Sequence, residues 1–268
     1  MPATSCFNVE TDNHIAWLTL NRPEKRNVMG LAFFDEIGAC FDDFDRNPDI
    51  RVVIVRAEGK SFSAGTDLEE AATLINQRSA DGRDNMRKSI LALQAGFTKI
   101  ESCRKPVIAA VHSHCIGGGM DMICACDMRL ATKDAIFSIR ETRMGIVADL
   151  GTLQRLPHII GQGWMRELAL TGRDFSAQEA LQMGLITRIC DDRPALYKAA
   201  KSLADQIAAC PPLTVQGTKE VINYSRDNGI DAGLQFVAQK NSAALPSEDL
   251  FEAVTAFMEK RAPVFKGR

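Results

Sequence analysis

Two rhythms of apolar residues run through this chain. His14-Ile15-Ala16-Trp17-Leu18-Thr19-Leu20 is a short apolar run that stops at Asn21-Arg22-Pro23, which predicts a strand ending at a breaker. Residues 30–45 instead carry Leu31, Phe34, Ile37, Phe41 and Phe44 at helical spacing and end near Asn47-Pro48. The β-branched run Arg51-Val52-Val53-Ile54-Val55-Arg56-Ala57 predicts a buried strand, and residues 83–103 predict a helix. After Pro106, Val107-Ile108-Ala109-Ala110-Val111 predicts another buried strand. Three glycines and an apolar helix over residues 120–126 follow, then short strands near 129–131 and 135–139.

Strands alternating with helices argue for an α/β core. From about Pro194 only helical patterns remain, over residues 195–208, 212–228, 230–244 and 247–260. The expected organisation is therefore an α/β core over residues 1–195 and a helical C-terminal region over 196–268, packed on the core or on a neighbouring subunit.

Composition narrows the function class. The chain has 268 residues, enough for one large core, and a formal net charge of -2. That balance gives no support for nucleic acid or an anionic membrane as the main partner, although local basic groups could hold a phosphorylated small molecule. The eight cysteines show no metal-ligand spacing and read as reduced and buried. No basic start followed by an apolar run opens the chain, and no stretch reaches the roughly 18–20 apolar residues that span a bilayer. The ending Phe265-Lys266-Gly267-Arg268 is not a peroxisomal address. These features set the expectation of a cytoplasmic protein.

The candidate chemistry lies between His112 and Pro157. Three acids, Asp121, Glu141 and Asp149, sit in a glycine-rich, mostly apolar framework. A carboxylate in such surroundings must be paired, hydrogen-bonded or shifted in pKa. Each has an ordinary explanation: Asp121 as a helix-dipole residue, Glu141 as the partner of Arg140 or Arg143, Asp149 as the cap of a short helix near Leu150. Asp127, at the far end of the helix after the glycines, is expected to cap or to pair with Arg129. Together the three acids point to proton transfer on an apolar substrate.

Gly117-Gly118-Gly119 follows a strand and opens a helix, but matches neither a dinucleotide fingerprint nor a P-loop. It reads either as a structural turn or as a backbone N–H donor brought close to a substrate oxygen. Phe62-Ser63-Ala64-Gly65-Thr66-Asp67 likewise lets a ligand approach the backbone. Ser63 lacks the setting of a nucleophile. His112, His114 and His158 are spaced too irregularly for a metal site.

These residues resemble the crotonase (enoyl-CoA hydratase/isomerase) superfamily over nearly the whole chain. Asn21-Arg22-Pro23-Glu24-Lys25-Arg26-Asn27 is similar to its N-terminal motif and Ser63-Ala64-Gly65-Thr66-Asp67 to its first oxyanion-hole loop. Residues 110–127 resemble its second loop and helix, and Ala256-Phe257-Met258-Glu259-Lys260-Arg261 its C-terminal tail. Ser113 stands where the family commonly has glycine. The resemblance implies an α/β spiral of ββα units with a helical C-terminal region. It also implies a homotrimer or dimer of trimers, and an acyl-coenzyme A thioester held by the amides of Ala64 and Gly118.

Further substrate contacts implied are Ser63, Gly65, Thr66 and Asp67. Lys25, Arg26 and, from a neighbouring subunit, Lys260 would meet the coenzyme A phosphates. No metal or cofactor is implied, coenzyme A being part of the substrate. The trio of acids and the trailing Gly151-Thr152-Leu153-Gln154-Arg155-Leu156-Pro157 are similar to the Δ3,5-Δ2,4-dienoyl-CoA isomerases. In the implied mechanism Glu141 takes a proton from C2, Asp149 delivers one at C6, and Asp121 orients or tunes the pair. The alternatives are an enoyl-CoA hydratase tolerant of Asp121, a 3,2-enoyl-CoA isomerase, and a catalytically silent acyl-CoA-binding protein.

Overall fold

The computed structural model describes residues 4–75 and 79–268. Strand β1 (Phe7–Asp12) forms an antiparallel hairpin with β2 (Ile15–Leu20), in the register Phe7 to Leu20. Helix α1 (Leu31–Arg46) returns the chain to β3 (Val52–Ala57), which runs parallel to β2. Helices α2 (Leu68–Ile75) and α3 (Ala80–Ser102) precede β4 (Val107–Val111), parallel to β3. Short β5 (His114–Ile116) leads into α4 (Gly118–Cys124), and β6 (Met128–Thr132) then joins β4 in parallel.

The chain continues through β7 (Ile136–Ser138), a 3-10 helix at Glu141–Met144, α5 (Thr152–Arg155), α6 (Pro157–Thr171), β8 (Asp174–Ser176), α7 (Ala177–Met183) and β9 (Arg188–Cys190). The main sheet has the order β1-β2-β3-β4-β6-β9, and a small second sheet the order β5-β7-β8. Helices α8 (Arg193–Ala208), α9 (Pro212–Asn228), α10 (Ile230–Ala244) and α11 (Glu248–Glu259) complete the chain.

The sheet is covered on both faces, which explains its continuous apolar strands. Alternate residues go to opposite sides. Val53, Val55, Val107 and Ala109 join Phe33, Ile37, Phe41 and Phe97 in one core, while Val52, Ile54, Ile108 and Ala110 face Leu196, Ala200 and Ala204 of α8. Helix α8 is thus part of the core, and the boundary expected after residue 195 falls inside it. The physical reason is the small-residue stripe of α8, which lets it lie flat on the sheet.

Two local expectations also change. Asp127 pairs with Lys219 of α9, Nζ to Oδ2 at 2.7 Å, and accepts the Val107 amide at 2.7 Å. Arg129 reaches Asp127 only through its main chain, donating Nη2 to the Asp127 carbonyl at 3.3 Å, and spends the rest of its guanidinium on the carbonyls of Leu185, Ile123 and Cys126. Ser113 adopts φ 52°, the left-handed conformation that glycine takes at least cost. Toward the C-terminus, Ile230, Leu234, Phe251, Phe257 and Met258 are exposed on α10 and α11. No described helix is long and apolar enough to cross a membrane.

Candidate active site

Two backbone loops meet at the C-terminal ends of β3 and β4. The first, residues 62–67, is laced to the N-terminal segment. Buried Asn27 accepts the Arg22 amide at 2.9 Å and donates to the carbonyls of Glu58 and Ser61 at 2.8 and 3.0 Å. Ser63 donates its hydroxyl to the Asn27 carbonyl at 2.9 Å and accepts the Gly65 amide at 3.1 Å. Ser63 is fully buried, and its hydroxyl braces the loop. Asp67 is likewise buried and accepts the Glu69 amide at the start of α2 at 3.1 Å, so it caps a helix.

The expected Ala64 donor does not stand. Its N–H is already bonded to the Arg26 carbonyl at 3.0 Å, which leaves nothing for a ligand. Met29 bridges to Thr66 in parallel, donating its N–H to the Gly65 carbonyl and accepting the Asp67 N–H, both at 2.9 Å, and the Thr66 N–H makes no hydrogen bond among the described residues. Gly65 sets this up with φ 94°, where an added Cβ would sit 2.9 Å from the Ile116 carbonyl.

The second loop turns at Gly117, whose φ of 52° and ψ of -118° require glycine. Its N–H goes to the Ser138 carbonyl at 2.9 Å. The next amide, that of Gly118, makes no hydrogen bond among the described residues and lies at the N-terminus of α4. A Cβ on Gly118 would come within 3.4 Å of the Thr66 nitrogen, so the two loops abut. Thr66 and Gly118 therefore present the unspent amide pair that an oxyanion needs.

The three acids converge beside this pair. Asp121, in the first turn of α4, is almost wholly buried and accepts the Thr152 amide through Oδ1 at 2.7 Å. Burial first, then the Glu141 carboxylate, pushes its pKa up to about 7, against the opposing pull of Thr152. Glu141 opens the 3-10 helix after β7, and its Oε1 lies 3.0 Å from where a Gly117 Cβ would stand. Its Oε2 is buried with no hydrogen-bond partner. Burial, and then the field of Asp149, raise the Glu141 pKa.

Asp149 is partly buried in the loop before α5, and burial raises its pKa too. A cavity of about 330 Å³ opens beside it, lined also by Gln94, Glu101 and Arg155. The field of Asp149 reaches both other acids. All three acids are shifted upward from their ordinary pKa values, the direction that favours holding and exchanging protons.

The ordinary explanations fail for Glu141 and Asp149, whereas Asp121 does lie in the first turn of α4, where its charge can meet the helix dipole. Arg140 pairs with Asp174, Arg143 donates to the Thr171 carbonyl, and neither engages Glu141. The cap of α5 comes from Asp121, not Asp149. Asp121 serves as a helix cap, but of α5 rather than of its own helix.

The basic candidates are more dispersed. Lys25 and Arg26 are exposed at the 3-10 turn Pro23–Lys25, near the first loop. Lys260 is exposed at the end of α11, and no described contact joins it to them. Buried His112 faces the Gly59 carbonyl at 3.3 Å, and burial lowers its pKa to about 4. Among the described residues no cluster of His, Cys, Asp and Glu is placed to hold a metal ion. Sequence reasoning missed the Thr66 amide and Gln94, whose Nε2 donates to the Asp149 carbonyl at 2.6 Å. An amide carries no side-chain signature, and one glutamine on a long helix carries no pattern.

Comparison with known proteins gives a consistent picture. A family model described as Enoyl-CoA hydratase/isomerase matches residues 10–268. The peroxisomal Delta(3,5)-Delta(2,4)-dienoyl-CoA isomerase of Arabidopsis thaliana is 45% identical over 260 residues, covering 95% of this chain and 94% of that protein. The mitochondrial protein of that name from Dictyostelium discoideum is 46% identical over 256 residues, covering 94% and 87%. Among solved structures, an enoyl-CoA hydratase from Bacillus anthracis superposes with a TM-score of 0.91 at 32% identity, covering 98% of this chain and 100% of that one. The expectation of a cytoplasmic protein is corrected by these relatives, which are named as peroxisomal and mitochondrial. Reading the terminal residues alone was the wrong basis for a location.

Proposed function

Because the chain belongs to the enoyl-CoA hydratase/isomerase family and is an enzyme of that family, we propose that it converts 3,5-dienoyl-CoA into 2,4-dienoyl-CoA. The observation that carries this reading is the division of labour among the acids. Asp121 is committed to Thr152, whereas Glu141 presents a buried oxygen without a partner and Asp149 stands as a third acid.

In this mechanism the thioester oxygen takes the Thr66 and Gly118 amides. Ionised Glu141 removes a proton from C2, and the electron pair spreads over the dienolate to the oxygen. Protonated Asp149 then gives its proton to C6, leaving double bonds at C2 and C4. Glu141 ends protonated and Asp149 ionised, and exchange with water resets them. Each oxyanion donor contributes about 3–4 kcal/mol to lowering the barrier, and each carboxyl group on the order of 10²–10⁴-fold. Only protons move, so the chemistry calls for no redox group. Lys25 and Arg26 would meet the coenzyme A phosphates, with Lys260 supplied by a neighbouring subunit. The exposed apolar side chains of α10 and α11 suit a homotrimer or a dimer of trimers.

Hydration of a 2-enoyl thioester is the competing reading, favoured by the structural likeness to the Bacillus anthracis hydratase. It needs a water held between two free carboxylates, and the Asp121 cap disfavours that. Absorbance of the conjugated 2,4-dienoyl thioester, followed after mixing with 3,5-dienoyl-CoA, tests the proposal. Growth of that absorbance, lost in Asp149→Asn, supports it. Turnover of 2-enoyl-CoA alone refutes it.

A further inference from the structure

The loop that carries Asp149 is almost bare of backbone support. Gly145 and Gly151 bound it, with φ 72° and 126°. Among the described residues, no main-chain hydrogen bond involves the amides or carbonyls of Val147, Ala148, Asp149 or Leu150. The Asp149 carboxylate has no side-chain partner either. Among the described residues no other residue donates a hydrogen bond to it. The direction in which this acid points is therefore set by the core packing of its neighbours Ala148 and Leu150 and by whatever grips the main chain.

Three grips exist. Gln94 of α3 donates Nε2 to the Asp149 carbonyl at 2.6 Å. Arg155 donates Nη1 to the Leu150 carbonyl at 3.4 Å and is itself anchored to Glu101 of α3 by Nε at 3.0 Å. Asp121 holds the Thr152 amide. Among the described residues the Gln94 bond is the only one made to Asp149 by another residue, and it comes from a different element from the other acids.

We propose that Gln94 is a positioning residue for the second proton transfer, aiming Asp149 at the far end of the dienolate while leaving the first transfer to Glu141 untouched. The inference rests on the isomerase reading above. Misplacing a catalytic group by about 1 Å can cost on the order of 10²-fold in rate. The core packing of Ala148 and Leu150 and the Arg155 bond to Leu150 hold the loop on either side, but among the described residues Gln94 is what fixes the main chain of Asp149 itself.

The test separates the two proton transfers. Gln94→Met keeps the size and removes the donor, and Gln94→Glu replaces the donor with an acceptor. If one fails to fold, by its melting temperature, the other carries the test. Each variant is given 3,5-dienoyl-CoA in deuterium oxide, and both conjugated product and deuterium at C2 of recovered substrate are measured. The expected result is a fall in kcat for isomerisation of about 10–100-fold, with KM changed less than about twofold. C2 exchange in recovered substrate should rise, because the dienolate returns instead of going forward. Isomerisation at the parent rate in a folded variant overturns the proposal. So does a parallel loss of exchange and isomerisation, which marks Gln94 as a general brace. A parent protein that neither exchanges nor isomerises overturns the isomerase reading itself, a result distinct from either.

Discussion

The Asp121 carboxylate accepts the Thr152 amide at 2.7 Å, fastening the buried start of α4 to the first turn of α5. Thr152 follows Asp149 by three residues, so one hydrogen bond links two of the three acids through the main chain. Asp121→Asn keeps an oxygen acceptor at this place and Asp121→Ala does not. Isomerisation should fall less than about 10-fold in Asp121→Asn and considerably further in Asp121→Ala, which also loses about 1 kcal/mol of capping. Steady-state kinetics and denaturant melts check both. Equal losses in the two variants would mean that the charge, not the cap, is what matters.

Stability should depend on pH through the same residue. Its folded pKa, about 7, stands above the ordinary 3.8, so the folded state holds the proton more tightly than the unfolded chain does. Stability contributed in this way is complete below pH 3.8 and is lost as pH rises to about 7. Asp121→Asn escapes that loss. Its advantage over the parent should be small at pH 4 and grow to on the order of 2–4 kcal/mol by pH 8, read from unfolding curves across that range.

The two proton-transfer acids should fail differently. Glu141→Gln removes the base, so isomerisation and C2 exchange should both drop on the order of 10²–10⁴-fold. Asp149→Asn should lose isomerisation to a similar extent and keep C2 exchange. Nuclear magnetic resonance of recovered substrate in deuterium oxide distinguishes them. Loss of exchange in both would show one shared step instead of two.

Gly65→Ala places a Cβ 2.9 Å from the Ile116 carbonyl at a φ of 94°. Both loops must shift, and with them the Thr66 and Gly118 amides. A fall in kcat of about 10²–10³-fold is expected, with a smaller loss of stability, measured by kinetics and thermal melting together.

Much of this was legible in the sequence. The strand Val107–Val111 and the helices Pro212–Asn228 and Ile230–Ala244 lie where the apolar rhythm places them, because long or fully buried elements leave strong patterns. Strand β1 escaped because only Phe7 of its six residues is buried. Helix α6 is broken by a non-helical Gly161, which blurs its period. Helix α7 was readable from its Ser176–Glu179 capping box and the Gly184 that ends it, a signal that went unused.

The acids were found because charge in apolar surroundings is conspicuous. Their division of labour was not, since Asp121 and Thr152 meet only through folding. The oxyanion donor was misassigned by two residues because Ala64 and Thr66 differ in what their amides bond, and no side chain records that.

The central claim is that two different carboxyl groups move protons at two different carbons. The direct measurement is the position of deuterium in 2,4-dienoyl-CoA formed from 3,5-dienoyl-CoA during the first turnovers in deuterium oxide. One deuterium at C6 and none at C2 is the predicted result, because Asp149 carries solvent deuterium and Glu141 only removes. Product free of deuterium would mean that a single acid carries the same proton from C2 to C6. A deuterated 3-hydroxyacyl thioester in its place would mean hydration, and either result would contradict the account.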